Sequence, residues 1–220
     1  MKLLGIIIIQ FLVVNFSFGQ QKTRITVSSR NGKTAYCGFS IKEGYHKSYS
    51  RQYITEEAGI GHSSGIPDVI QRIKEVSGFD VAIRVFIAED EDNCFATIAE
   101  GRVRVIIADH RFLNRVNNHS GTDWAAISIL AHEVGHHIAG FNRNSDQRQD
   151  ELDADYWSGY ILHKLGSAKS SAVKCILTYG TEYDSNSHPN KYRRSRMIKK
   201  GWEDALAGRT DYSKCEKCKP

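Results

Sequence analysis

The chain divides by the spacing of its apolar residues. Val69, Ile70, Ile73 and Val76 recur at helical spacing, with Pro67 where a first-turn proline belongs and Gly78 as a stop. Val81, Ile83, Val85 and Ile87 then alternate with their neighbours, which is strand periodicity. Acidic residues within 89–92 make a turn, and residues 94–99 and 102–108 read as two further strands joined near Gly101. Thr122 offers an N-cap, with Asp123 at the positive end of the dipole, for a long helix. Ile127, Ala131, Val134 and Ile138 mark one face of it and Gly140 stops it. After a polar loop at 141–149, helices are predicted over 150–165, 168–178 and 189–207. The polar, Gly- and Ser-rich stretch 20–65 offers a short strand at 24–27. No internal repeat is present. A small β-sheet followed by a helical bundle defines an α+β fold.

Polarity at the N-terminus changes this picture. Lys2 precedes a nearly continuous apolar run, residues 3–14, and Ser17-Phe18-Gly19 supplies small residues at a cleavage site. This is the pattern of a secretory signal peptide, with Gln20 as the mature start. The run is short of the roughly 20 residues a membrane span needs. The expectation is an exported chain, periplasmic or extracellular, with no stable membrane insertion after signal removal; the alternative is anchoring by an uncleaved N-terminal segment. The expected organisation is a signal peptide at 1–19, a region without an assigned role at 20–65, a folded domain at 66–208 and a tail at 209–220 that carries Cys215 and Cys218 as a CxxC pair. Cys37, Cys94, Cys175, Cys215 and Cys218 number five, so one or two structural disulfides are expected, with at least one cysteine left over.

Composition narrows the partners. The 220 residues are 40% hydrophobic, and the net charge of +5 comes from scattered Lys and Arg. The strongest basic run, 191–200, holds Arg193, Arg194 and Arg196 and reads as a solvated helix face. Nucleic acid is not expected as a partner, because no basic stripe with interleaved aromatics is present.

The chemistry concentrates in His132-Glu133-Val134-Gly135-His136. Residues four apart on a helix share a face, so both imidazoles can reach one zinc ion at about 2.0–2.1 Å. Glu133 lies beside them, placed to act as a carboxylate base on water at the metal. Catalytic zinc usually takes three protein ligands and keeps one open position. A third histidine at metzincin spacing is missing, since Ala139 and Asn142 stand at those positions. Glu151 and Asp155, four apart on a later helix, are the better candidates: one could bind the metal while the other holds a ligand histidine by its free ring N–H. Asp150 and Asp153 are expected to face solvent, and His137, about 100° round the helix, to pack or lie at the surface.

His132-Glu133-Val134-Gly135-His136, followed by Glu151-Leu152-Asp153-Ala154-Asp155, resembles the gluzincin zinc metallopeptidases that include HtpX and the CAAX prenyl endopeptidases. Asn93-Cys94-Phe95-Ala96 is similar to the strand beside their active-site cleft, although Cys94 replaces a small residue. Ser187-His188-Pro189, with Arg194 beyond it, is similar to their late His-Pro…Arg element. Without spanning helices after the signal, the chain resembles the small exported members. The resemblance covers about half the chain and implies a zincin-like fold and endopeptidase activity on a protein or peptide substrate. It implies one zinc per chain, held by His132, His136 and Glu151, with Glu133 as base. Asp155 would then support a ligand histidine, His188 would stabilise the oxyanion, and Arg194 would orient the cleft or pair with a carboxylate. Asn93, Phe95 and Ala96 would form the substrate strand. A reading of a different class remains open, a catalytically silent zinc-binding interaction protein; an intact Glu133 argues against it.

Overall fold

A computed structural model describes residues 22–26, 52–89, 91–99, 102–140 and 146–214. The signal segment, Cys37, Cys215 and Cys218 lie outside these. Strands β1 (Lys22–Thr26) and β2 (Gln52–Ala58) precede helix α1 (Ile66–Ser77), then β3 (Arg84–Ala88), β4 (Cys94–Ala99) and β5 (Val103–Asp109). Helices α2 (His110–Ser120), α3 (Trp124–Ala139), α4 (Gln147–Lys164), α5 (Lys169–Ala172), α6 (Lys174–Tyr179) and α7 (Lys191–Leu206) follow, and a 3₁₀ turn spans Tyr212–Lys214. The fold is α+β. The five strands form one mixed sheet in the order β1-β2-β3-β5-β4, with only β3 and β5 parallel. The boundary expected at 65/66 therefore does not divide the sheet, because β2 pairs with β3.

The predicted helix at Pro67 is α1, closed by Gly78 in the left-handed region. The strand predicted from Val81 begins only at Arg84, where pairing to β5 starts (Arg84↔Val105). Val81 and Ile83 pack on the core without joining the ladder. Helix α2 falls in a stretch to which apolar spacing assigns no element. Its signal is in the sequence: Asp109 accepts from the backbone N–H groups of Arg111 and Phe112 as N-cap, Phe112, Leu113 and Val116 are buried, and Gly121 caps the end. Helix α3 starts at Trp124, two residues past the expected cap. Thr122 Oγ1 accepts from Trp124 N at 3.3 Å, and Asn117 Oδ1, from α2, accepts from Ala126 N at 2.7 Å. The single helix expected at 168–178 is two short ones, α5 and α6, and α7 begins at Lys191 behind an Asn190 cap.

Helix α3 is buried on nearly every side, including His132, Glu133, His136 and His137. It lies in the main core between the sheet and the other helices. Three glycines let the helices close on one another. A Cβ at Gly135 would stand 2.7 Å from Ala154 O, one at Gly159 1.8 Å from Ile198 O, and one at Gly201 1.9 Å from Tyr156 O. Their hydrogen side chains bring α4 against α3 and α7 against α4, which is what carries carboxylates and a guanidinium to the α3 histidines. A second apolar cluster of Phe86, Ala88, Phe95, Val105 and Ile107 is separate from this core. Cys94 and Cys175 are free and buried, so neither forms an expected disulfide. No helix among the described residues is long and apolar enough to cross a membrane.

Candidate metal centre

One turn of α3 presents His132 and His136 to the N-terminal half of α4. His132 Nε2 and His136 Nε2 are 3.1 Å apart, and Glu151 oxygens lie 3.5 Å and 3.7 Å from them respectively. Donors at 2.0–2.1 Å around a tetrahedral zinc are separated by about 3.3–3.4 Å. The three groups are buried, and among the described residues they are the one His/Cys/Asp/Glu cluster able to hold a metal ion.

The next layer fixes their direction. His132 Nδ1–H donates to Asp155 Oδ1 at 2.9 Å, which leaves Nε2 as the lone pair. Arg194 grips the same carboxylate with two bonds, Nε to Oδ2 at 2.8 Å and Nη2 to Oδ1 at 2.9 Å. Arg194 Nη2 is 3.5 Å and 3.3 Å from the two His132 ring nitrogens. A position so nearly equidistant is not along the Nε2 lone pair, so the guanidinium does not occupy the metal's place. His137 turns to the sheet instead: Nε2 lies 3.1 Å from Val105 O, and Arg104 donates to the His137 carbonyl at 2.8 Å. This is a packing role, tying α3 to β5.

Glu133 turns to the sheet. Its Oε2 accepts from Ala96 N at 2.8 Å, while Oε1 is buried with no hydrogen-bond partner. His188 approaches from the loop before α7, with Nε2 also buried and unpartnered, 3.8 Å from Glu151 Oε1. Two orphaned polar atoms beside three converging donors mark a place built for something polar.

Charge argues for a cation. Glu133, Glu151 and Asp155 are buried against Arg194, so with neutral histidines the ionised cluster carries −2. Without a cation, protons take its place. Burial opposes the charged form of His132, but the Asp155 carboxylate outweighs it and raises the pKa to about 9. Burial raises Glu133 to about 8. Burial and the His132 charge push His136 down to about 3. Glu151 stays well below the usual carboxylate range despite burial, held by His188, His132, His136 and Arg194. A divalent cation would neutralise the cluster and displace those protons. The donor set of two imidazoles and one carboxylate, with a nearby carboxylate left over, fits a metal ion.

The expected residues are not all at the centre. Asn93 Oδ1 accepts from Cys94 N at 2.9 Å and its carbonyl accepts from Asp109 N at 3.0 Å, so it pins the start of β4 to the end of β5. Phe95 faces the second apolar cluster, because strand alternation sends it away from α3. Of the three strand residues, Ala96 meets the site through its backbone N–H. Asp153 is not solvent-facing. It is 3% exposed and accepts from Gln149 Nε2 and from Lys214 Nζ, both at 2.8 Å. The tail from Thr210 to Lys214 explains this burial: Asp211 N donates to Tyr156 Oη at 2.7 Å and Trp157 Nε1 donates to Lys214 O at 2.5 Å, strapping the tail along α4. Asp150 is half-buried. Spacing does not reveal the roles of two motif residues: Gly135, whose missing side chain admits Ala154, and Ser187, whose hydroxyl sits against His188.

Scans against protein-family models, curated proteins and solved structures return no match to this chain.

Proposed function

We propose that the chain is a zinc-dependent endopeptidase with a zincin-like fold, exported and acting on protein or peptide substrates. The observation that carries this reading is the free Oε1 of Glu133, buried and unpartnered beside the His132–His136–Glu151 donor set. A site that only stored metal would need no such carboxylate, and burying one with an oxygen left unpartnered is costly. Two imidazoles and a carboxylate are a zinc donor set with room for a fourth position.

Zinc bound there would supply Lewis acidity, polarising a scissile carbonyl and acidifying water to near neutral pH. The chain's own groups do the rest. Ala96 N–H holds Oε2 of Glu133 and leaves Oε1 as the oxygen free for chemistry. Oε1 takes the proton from the attacking water and passes it to the leaving amine. His188 Nε2, 3.8 Å from Glu151 Oε1, would serve as a donor for the growing charge on the former carbonyl oxygen. Asp155 and Arg194 keep His132 in one tautomer and one orientation.

The test is hydrolysis of an unfolded protein such as casein by the zinc-loaded chain. The reading requires cleavage that a chelator abolishes and zinc restores, and that Glu133→Gln lacks while retaining the metal. Tight zinc binding with no cleavage would leave the interaction-protein reading instead.

A further inference from the structure

We propose that Ser187 is a positioning residue that fixes the ring tautomer and orientation of His188, so that Nε2 carries a proton on the side of Glu151 and the metal centre. Its consequence for turnover rests on the peptidase reading above; the hydrogen bond itself does not.

Ser187 Oγ lies 2.7 Å from His188 Nδ1. A hydroxyl can donate or accept, so this contact alone allows either tautomer. The far nitrogen decides. His188 Nε2 is buried, has no hydrogen-bond partner and stands 3.8 Å from Glu151 Oε1. A bare lone pair there would face an anionic oxygen; an N–H presents its positive end. The favoured arrangement therefore has Ser187 O–H donating to Nδ1 and the proton on Nε2.

The loop around this pair is held on both sides. His188 N donates to Ser185 Oγ at 2.9 Å, and Ser185 N donates to His188 O at 2.8 Å. Asp184 Oδ1 accepts from the Asn190 backbone at 2.7 Å and side chain at 2.8 Å, and Oδ2 accepts from Arg193 Nη1 at 2.6 Å. Pro189 is buried beside the histidine. With the backbone fixed, the rotation of the imidazole is the freedom left, and the Ser187 hydroxyl removes it. An oxyanion donor works only if it is already aimed where charge develops.

The experiment combines nitrogen NMR with kinetics on the full chain. Histidine is labelled with ¹⁵N and the His188 ring is assigned by its loss in His188→Ala. Parent and Ser187→Thr should show Nδ1 bare and Nε2 protonated, and Ser187→Ala should show averaged shifts of a mixed tautomer. On casein, Ser187→Ala should lower kcat about 3–10-fold, the scale of one net hydrogen bond, with KM and zinc content unchanged. Ser187→Thr should restore turnover, and Ser187→Ala should cost nothing further in a His188→Ala background. A protonated Nδ1 in the parent would overturn the proposal, and so would an equal loss in both backgrounds, which marks a structural role. If the parent cleaves nothing, the peptidase reading falls, and the nitrogen shifts still decide for or against Ser187.

Discussion

Gly201→Ala adds one methyl group where α7 crosses α4, and its two effects have opposite signs. Helix propensity favours alanine over glycine by about 1 kcal/mol in a helix interior. Packing opposes it. The new Cβ would lie 1.9 Å from the Tyr156 carbonyl oxygen and 2.8 Å from its carbon, and both atoms are backbone. No side chain can rotate away, so the helices must part by more than about 1 Å, at the upper end of the ~1–3 kcal/mol typical of overpacking. The net expectation is a loss of about 1–2 kcal/mol. The same displacement acts two turns along α7 on Arg194, whose bonds to Asp155 are 2.8 Å and 2.9 Å. Losing that grip frees His132, and disturbed support of a ligand typically costs about 10–100-fold in metal affinity. Urea unfolding of the metal-free chain and a zinc competition titration measure the two effects, with exposed Lys199→Ala as the control. A Gly201→Ala protein as stable as the parent, or more so, would refute the reasoning: propensity would then outweigh the close crossing.

Asp155→Asn should weaken zinc binding by about 10–100-fold while leaving the fold intact, read by competition with a fluorescent chelator. Glu133→Gln should keep zinc and lose about 10²–10⁴-fold in casein turnover, as expected when a general base is removed. In chelator-treated protein the Glu133 pKa is raised by burial to about 8, from 4.5. Its contribution is therefore present below 4.5 and is lost as pH rises through 8. Glu133→Gln should flatten the fall in metal-free stability over that window, measured by urea unfolding at several pH values. Zinc uptake should weaken as pH falls, because His132 and His136 must be neutral to bind, and calorimetry in buffers of different ionisation enthalpy should detect proton release at pH 7.

The centre was more legible in sequence than the fold around it. The i,i+4 spacing of His132 and His136 survives in any α-helix, so the ligand pair could be read without tertiary knowledge. Glu151 and Asp155 share a face for the same reason, although spacing alone could not say which would face the metal and which would hold His132. That choice depends on how α4 crosses α3, which Gly135 permits but does not announce. The orientations of Phe95 and Asp153 were beyond local reasoning. Phe95 follows strand alternation to the second cluster, and Asp153 is buried by a tail more than fifty residues away. Helix α2 escaped because its apolar residues are few and its remaining positions are Asn, Arg, His and Ser. Its cap, Asp109, lies at the end of a strand.

The central claim is that His132, His136 and Glu151 hold one zinc ion, and metal stoichiometry tests it most directly. Purified chain is exposed to zinc, dialysed and analysed by native mass spectrometry beside Glu151→Ala. The account predicts one zinc per chain in the parent and almost none in Glu151→Ala under the same dialysis. A parent that stays metal-free, or a Glu151→Ala chain that keeps its zinc in full, would contradict it.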